Sequence, residues 1–428
     1  MRIDQRWSQI RDGFERPFWV ANTSEIFERL SYYAVFSTLA IYLNQNLGLS
    51  TSQSATLSGI FGGAVWVMAI FGGALADRIG FRRALSSAYF ILTCAYFLIG
   101  SIGAPWLAPV RAVVPLPILA GVMLFLPALG VALVKPSVVG TAARASNENV
   151  RSIGYSIYYT MVNIGSTLGP FLAGWLHSRL PTTDVYFIAA LSVLLMAVVV
   201  LVFFREPRAD AALPTSSIGR TARDFMTVLG NGRFMLFLAI FSGYWIVYWQ
   251  QYLILPIYIV NYLDKNANTP LILITDPLIV IALTVVVSAF TRALRPLQAI
   301  VLGTLTTSVA WLLIAAHPSV LAAICSLAVV ALGEIVQAPR YYEYISRLAP
   351  PGQQGTYMGF AFLPIGIGSL AGGWLGGTLL SHFVAVANPA MVWYAVTGIG
   401  LLTTLLLLLY DRYMTTGPAL PAQSGGNP

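Results

Sequence analysis

Charged side chains are scarce in this sequence. Only 9% of the 428 residues are Asp, Glu, Lys or Arg, whereas an average soluble domain carries about 25%. This composition excludes an ordinary soluble fold. Cysteine and histidine are also rare, with two and three copies. Cys94 and Cys325 both fall inside apolar runs, so we expect small buried hydrophobic residues rather than a disulfide framework.

The motifs of common enzymes are missing as well. The chain has no Gly-x-x-x-x-Gly-Lys phosphate loop, no Gly-x-Ser-x-Gly nucleophile elbow and no group of His and Cys with metal-ligand spacing. His177, His317 and His382 lie near the outer ends of apolar runs, where they are badly placed to relay a proton at mid-membrane. We therefore predict that the protein is not an enzyme and that it needs no metal or organic cofactor.

Hydrophobic residues, by contrast, make up 57% of the chain. They form about twelve runs of roughly 20 residues, each long enough to cross about 30 Å of hydrocarbon as a helix. The sequence therefore predicts an all-α integral membrane protein with about twelve transmembrane helices. The predicted spans are 18–44, 53–76, 84–103, 114–140, 152–177, 184–204, 233–261, 269–291, 296–316, 318–346, 354–381 and 389–411.

The positions of the basic residues predict the orientation. The net charge is +8, but most of the Lys and Arg residues flank the same ends of the apolar runs. Such flanks face the cytoplasm. We therefore predict that both termini are cytoplasmic in a bacterial inner membrane, and that the surrounding partners are lipids rather than nucleic acid.

Residues 205–232 interrupt the apolar pattern with charges, Pro and Gly, and leave about six spans on either side. We predict an N-terminal bundle at 1–204, a cytoplasmic linker at 205–232, a C-terminal bundle at 233–413 and a disordered tail at 414–428. Two bundles joined by a linker are typical of transporters that rock about a binding site near mid-membrane.

A glycine-rich basic loop follows the second span. Its glycines allow close helix packing, Asp77 can accept hydrogen bonds from a neighbouring helix end, and Arg78 anchors the loop at the cytoplasmic face. The pattern resembles the loop signature of the major facilitator superfamily, which implies that Gly73, Asp77, Arg78 and Gly80 belong to a gating loop. The segment reads Gly72-Gly73-Ala74-Leu75-Ala76-Asp77-Arg78-Ile79-Gly80-Phe81-Arg82-Arg83.

Ionisable residues inside the spans are the strongest functional signal, since each costs roughly 2.5–3.5 kcal/mol on insertion scales. Glu25, Glu28, Arg29 and Tyr32 share one face of the first helix, and Lys135 can reach the same depth from the fourth span. Two carboxylates and two cations in one site would let a proton decide which pairs form. These residues are the predicted proton-coupling cluster.

The second half carries acids near mid-membrane. Glu334 lies in the middle of the tenth span and Asp276 lies nearer the outer face, where it either lines the site or ends a helix in water. Cations in one bundle and acids in the other predict a bipolar cavity suited to a zwitterion. Arg340 and Glu343 either contact the substrate or form a local pair near the cytoplasmic end.

Aromatic and amide residues gather in the seventh span. Tyr248, Gln251 and Tyr252 share a face, which either lines a pocket or forms an aromatic belt at the membrane interface.

Four motifs resemble the proton-dependent oligopeptide transporters. The first reads Glu25-Ile26-Phe27-Glu28-Arg29-Leu30-Ser31-Tyr32-Tyr33, and the others are Lys135-Pro136, the segment Tyr158-Tyr159-Thr160-Met161-Val162-Asn163-Ile164-Gly165-Ser166, and Gly333-Glu334 with the following Leu348-Ala349-Pro350. The resemblance implies a major facilitator fold, here without the two extra helices that many bacterial relatives insert between the halves, because residues 205–232 are too short and polar for them.

The resemblance also implies roles. Glu25, Glu28, Arg29 and Lys135 would couple protons, and Arg29 and Lys135 would also receive a peptide carboxylate. Glu334 and Asn163 would bind the amino end. The complete predicted binding set is Arg29, Tyr32, Tyr33, Trp66, Lys135, Tyr159, Asn163, Tyr248, Gln251, Asp276, Glu334 and Gln337.

Two departures keep the substrate open. Asp276-Pro277 stands where the family usually has Asn-Pro, so Asp276 would select cationic substrates or carry a second proton. The tenth span continues as Gln337-Ala338-Pro339-Arg340 instead of a Ser-Pro with small residues. The first hypothesis is a monomeric, proton-driven importer of short peptides or peptide-like zwitterions. Alternatives are a carrier or exporter of a modified peptide such as a siderophore or antibiotic, and a peptide sensor without transport.

Overall fold

A computed structural model describes residues 13–207, 226–350 and 353–415, which are almost entirely helical. The predicted spans are confirmed to within four residues at each end. The long helices are α1 (Arg16–Ile41), α2 (Thr51–Ile79), α3 (Phe81–Ser101), α4 (Leu116–Arg144), α5 (Arg151–His177), α6 (Thr182–Phe203), α7 (Gly232–Tyr248, continued by Gln250–Leu253 and Leu255–Tyr258), α8 (Thr269–Leu273 and Thr275–Thr291), α9 (Pro296–Ala316), α10 (Val320–Leu348), α11 (Gln354–Phe360 and Leu363–Ala385) and α12 (Met391–Tyr410).

Nine helices within the described ranges are long and apolar enough to cross a membrane. The remaining long helices, α1, α2 and α5, have 26, 29 and 27 residues, so their length also suffices to span the hydrocarbon. Helix α1 is less apolar than the other long helices because it carries polar side chains into the protein interior. Helix α1 alone buries Asn22, Ser24, Glu25, Glu28 and Arg29.

The two halves pack tightly along α2 and α11 through small residues. A Cβ atom added at Gly59 would lie 2.5 Å from the Ser369 carbonyl oxygen, and one at Gly63 would lie 2.7 Å from the Gly366 carbonyl oxygen. The Ser369 hydroxyl also donates to the Gly59 carbonyl at 3.1 Å. Small residues let the two backbones approach as closely as helices in membranes do.

The other contacts between the halves define a closed side. We call the side on which α1 begins and α12 ends the terminal side, and the side of the α1–α2 loop the far side. On the far side, Asn261 Nδ2 donates to Asn44 Oδ1 at 3.2 Å, and Asn268 Nδ2 donates to the Gly174 carbonyl at 2.8 Å. These hydrogen bonds join α7 and α8 to the first half, so the far side is shut.

The predicted gating loop lies on the terminal side. Helix α2 ends at Ile79, and Gly80 has a φ of +86°, a conformation that favours glycine. Both Glu206 carboxylate oxygens accept backbone N–H groups at the start of α3, from Phe81 at 2.7 Å and Arg82 at 2.9 Å. Glu206, the second residue of the predicted linker, therefore caps the start of α3. Gly73, Asp77 and Arg78 lie in the last turns of α2 rather than in a loop, Arg78 is exposed, and the Asp77 side chain lies outside the described part.

The domain boundaries remain predictions. Most of the predicted linker, residues 208–225, lies outside the described residues, as does the predicted tail from residue 416 onward. The described chain ends in one π-helical turn, Asp411–Thr415.

Candidate functional site

The charged cluster of α1 is fully enclosed. Glu25 and Glu28 are 0% exposed and Arg29 is 2% exposed. Arg29 Nη2 donates to Glu28 Oε1 at 2.7 Å, and Arg29 Nε donates to Glu28 Oε2, which makes a bidentate pair. Arg29 Nε lies 3.6 Å from Glu25 Oε1. One cation therefore stands between two carboxylates, and within the described chain neither oxygen of Glu25 accepts a hydrogen bond.

Glycines bring α5 against this cluster. A Cβ atom at Gly165 would lie 2.6 Å from the Ile26 carbonyl oxygen and 2.7 Å from Arg29 Cβ, and one at Gly169 would lie 2.6 Å from the Leu30 carbonyl oxygen. Only glycine permits so close an approach. As a result, Asn163 and Ser166 of α5 lie beside α1.

Lys135 makes contacts with aromatic rings, and its predicted role in the proton-coupling cluster stays a prediction. Its ammonium lies 3.6 Å from the centre of the Trp66 ring and 5.8 Å from that of Phe362, which is a cation–π contact. Trp66 of α2 stacks on Phe362, beside α11, at 5.5 Å. Arg29 lies within one turn of Glu25 and Glu28 on its own helix and pairs with them. The other cation, Lys135, therefore packs against aromatic rings instead. Glu25 and Glu28 remain within electrostatic reach of Lys135.

A cavity of about 100 Å³ lies between the halves. Five of the predicted binding residues line it, namely Tyr33, Asn163, Tyr248, Asp276 and Glu334. The others on its wall are Ser166, Trp249, Tyr252, Pro277 and Val280. Both halves contribute, so the cavity is the place where a bound solute would contact each bundle at once.

The second half supplies an acidic wall. The Tyr248 hydroxyl lies 3.0 Å from Glu334 Oε2 and 3.3 Å from Asp276 Oδ2. Asp276 is only 3% exposed, so it is part of the site rather than a helix end in water. Glu334 is aimed into the cavity because the preceding Gly333 packs on α9, where an added Cβ would lie 2.2 Å from Thr307 Oγ1.

Aromatic rings cover the cavity on the far side. Phe36 of α1 stacks on Tyr252 of α7 at 5.0 Å and meets Trp249 edge to face at 5.6 Å. The Trp249 Nε1–H donates to the Ile365 carbonyl at 3.0 Å. Because Tyr248, Trp249 and Tyr252 are all buried, the α7 aromatics form a pocket wall. The alternative of an interfacial belt is wrong.

Several predicted binding residues do not line this cavity. Arg29, Tyr32, Trp66 and Lys135 lie behind or beside it in the first half. Gln251 and Gln337 are 0% exposed inside the second half, where Gln251 lies beside Asp276 and Gln337 lies beside Tyr244. Tyr159 is 66% exposed, about one turn from Asn163 toward the terminal side.

Arg340 and Glu343 belong to a local network at the terminal ends of α8 and α10. Arg340 Nη1 donates to Glu343 Oε2 at 2.7 Å, and Arg340 Nη2 donates to the Arg292 carbonyl at 3.1 Å. Arg347 Nη2 donates to Glu343 Oε1 at 2.5 Å. A cation at the carbonyl end of α8 is favourable, so the local pair is the arrangement that the structure shows.

The helical architecture and the cavity shared by two halves define a membrane transport fold. A family model described as Major Facilitator Superfamily matches residues 23–363, and the chain belongs to that superfamily. Among solved structures, it is similar to a POT family transporter in complex with 5-aminolevulinic acid, with a TM-score of 0.77, 18% identity, and coverage of 94% of this chain and 97% of the other. A peptide transporter POT in complex with sulfate is also similar, with a TM-score of 0.75, 17% identity, and coverage of 95% and 98%.

The names of the curated relatives describe other transporters of the superfamily and do not mention peptides. An uncharacterized MFS-type transporter, YqjV, of Bacillus subtilis is 23% identical over 403 residues, which is 92% of this chain and 94% of the relative. The multidrug resistance protein MdtH of Salmonella newport is 22% identical over 380 residues, which is 88% and 90%. At these identities, the structural likeness establishes the fold.

Proposed function

We propose that the protein is a proton-coupled symporter that imports short peptides or peptide-like zwitterions by alternating access. It lies in a bacterial inner membrane with both termini in the cytoplasm and acts as a monomer. The observation that carries the proposal is the cavity between the halves, which has acids on one wall and a buried Glu28–Arg29 pair behind the opposite wall. The likeness to peptide transporter structures supports the same substrate class.

The amino end of the substrate binds at the acidic wall. Glu334 offers a carboxylate and Asn163 an amide across the same cavity. A hydrogen bond between charged partners is worth about 1.5–3 kcal/mol, which is enough to orient a small solute. An ammonium group is therefore the natural ligand at this end.

The carboxylate end is directed toward Arg29. Tyr33 lines the cavity and lies within electrostatic reach of both Arg29 and Glu334, so it stands between the two poles. In the described arrangement the Arg29 guanidinium donates its hydrogen bonds to the Glu28 carboxylate. A proton on Glu28 would remove that charge and leave Arg29 available for the substrate carboxylate, so proton uptake and substrate binding favour each other.

The energy of one proton suffices for uptake. Moving one charge inward is worth about 2.3 kcal/mol per 100 mV, which supports roughly 50-fold accumulation of a solute that adds no net charge. Two barriers would open in turn during the cycle. One is the ring cluster on the far side, and the other is the stacked pair of Trp66 and Phe362, which lies nearer the terminal side.

Flux into proteoliposomes tests the proposal. A labelled dipeptide should accumulate under an inward proton gradient. Glu28→Gln should abolish that accumulation yet retain counterflow exchange, because exchange needs no net proton movement. The matched control is Glu148→Gln, which makes the same change at an exposed loop carboxylate. Gradient-driven accumulation by Glu28→Gln would contradict the proposed role of Glu28.

A second candidate is a carrier or exporter of a modified peptide-like compound. The multidrug resistance name of one relative motivates it. A competition panel separates the two candidates, because a failure of every ordinary di- and tripeptide to compete would favour the second. Binding without any flux, with or without a gradient, would favour a sensor.

A further inference from the structure

The two carboxylates of the acidic wall share a single hydrogen-bond donor. Glu334 Oε2 and Asp276 Oδ2 lie 3.0 and 3.3 Å from the same Tyr248 hydroxyl oxygen. A tyrosine hydroxyl carries one proton and can donate it to only one of them. The second contact is a hydrogen bond only when the other carboxyl group carries a proton and donates it to the Tyr248 oxygen.

The rest of the cavity wall does not supply the missing positive charge. Tyr33, Asn163, Ser166, Trp249 and Tyr252 complete the polar and aromatic lining, and all of them are uncharged. Asp276 Oδ1 is buried and has no hydrogen-bond partner within the described chain. The wall therefore holds two acids that share one hydroxyl donor, and the amide of Gln251 lies close to Asp276.

We propose that Asp276, together with Tyr248 and Glu334, forms a second cation subsite, so that the transporter prefers substrates that carry a basic group in addition to the amino end. This inference rests on the proposed function: Glu334 takes the ammonium of the amino end, and Asp276 takes the second cation. The two carboxylate oxygens are at most the sum of the two Tyr248 contacts apart, which suits two nitrogens of one small molecule.

Binding of the second cation displaces one proton from the carboxyl pair, so the charge of the site is conserved. In the empty site one carboxyl of the pair carries a proton. When a basic group –NH₃⁺ enters, the carboxyl O–H bond breaks, the proton leaves to water, and an N–H group of the ammonium donates to the carboxylate instead. The titratable groups around Asp276 are Glu334 from α10, Tyr244, Tyr248 and Tyr252 from α7, and Tyr33 from α1. The two carboxyls are the pair that exchanges this proton.

The test compares two dipeptides of equal length, Lys-Ala and norleucine-Ala, by calorimetric binding to the purified full-length protein. The wild type should bind Lys-Ala about 10- to 100-fold more tightly, which is the range of a hydrogen bond to a charged group. Asp276→Asn should reduce this preference to about twofold or less, whatever its effect on the affinity for norleucine-Ala. The control Asp264→Asn makes the same change in the far-side loop, and Asn can still accept the hydrogen bond that Asn266 N–H donates to Asp264.

Proton release gives a readout that a structural role would not change. In weakly buffered solution, Lys-Ala should release about one more proton per molecule bound than norleucine-Ala, and Asp276→Asn should abolish the difference. A preference for Lys-Ala that persists in Asp276→Asn would overturn the subsite, as would equal affinities in the wild type.

A probe without a peptide bond separates this inference from the proposed function. 1,4-Diaminobutane should raise the Tm of the wild type more than 1-aminobutane does, and this excess should vanish in Asp276→Asn. If the diamine behaves so while no peptide binds, the subsite stands and the peptide proposal fails. If both dipeptides bind alike and the diamine gives no excess, the subsite fails and the peptide proposal stands.

Discussion

The glycine contact between α2 and α11 leads to a direct prediction about the transport cycle. Gly59→Ala places a methyl group 2.5 Å from the Ser369 carbonyl oxygen and 3.1 Å from Gly373 Cα. Both neighbours are backbone atoms that cannot rotate away, so the helices must separate. Overpacking of this kind costs about 1–3 kcal/mol. Because the contact belongs to the far-closed arrangement, the ratio of far-closed to far-open molecules should fall about 5- to 150-fold.

Accessibility of the cavity measures that shift. Ser166→Cys, in a protein whose Cys94 and Cys325 are replaced by Ser, places a thiol on the cavity wall. A membrane-impermeant maleimide added on the far side of oriented proteoliposomes should label Gly59→Ala faster than the parent protein by up to the same factor. Gly373→Ala should act alike, since its methyl would lie 2.4 Å from the Ala55 carbonyl oxygen.

The matched control is Gly398→Ala in α12, where an added Cβ meets nothing within 4 Å. It should label at the parental rate and be slightly more stable, because Ala favours helix over Gly by about 1 kcal/mol. Unchanged labelling of both Gly59→Ala and Gly373→Ala would refute the reasoning. A loss of folded protein without faster labelling would refute it as well.

Three further predictions follow from local contacts. Trp66→Leu removes the ring beneath Lys135 and should slow proton-driven uptake roughly 2- to 30-fold, the equivalent of about 0.5–2 kcal/mol, whereas Trp66→Phe should retain most of the rate; equal rates for the two variants would contradict the cation–π role. Glu206→Ala removes the acceptor of two N–H groups at the start of α3 and should lower the free energy of unfolding by about 1 kcal/mol, measured by denaturant titration against Glu148→Ala; no loss would show that water caps α3 equally well. Arg340→Gln should lower stability by a similar amount through the α8 carbonyl end, yet change dipeptide affinity less than about twofold; a larger loss of affinity in a binding assay would place Arg340 at the substrate.

The helices were largely predictable because apolar runs of membrane length are a strong signal. Agreement within four residues, as for 296–316 and α9 (Pro296–Ala316), reflects the sharp loss of apolar character at each end. The face that carries Glu25, Glu28 and Arg29 was equally predictable, because helical spacing alone brings them together. The direct Glu28–Arg29 pair was not predictable in this way, because neighbouring residues do not face each other on a helix.

Contacts across helices were less predictable. The position of Lys135 over Trp66 depends on the relative rotation of α2 and α4, which the sequence does not specify. The shared hydroxyl of Tyr248 depends on the register of α7, α8 and α10 together. Ser166, Val280 and Pro277 were missed since uncharged residues carry no burial cost that would mark them. Gln251 and Gln337 do not line the cavity in this arrangement, so their contact with the substrate stays a prediction.

The ring cluster of Phe36, Trp249 and Tyr252 influences which substrates are transported fastest. Flat side chains from opposite bundles rest on each other, so separating the bundles strips each ring of its neighbour before water can fill the gap. A substrate with an aromatic side chain would enter that gap and replace the lost ring contact. Peptides with a phenylalanyl or tryptophanyl side chain would then favour opening of the far-side rings and would enter faster than smaller peptides.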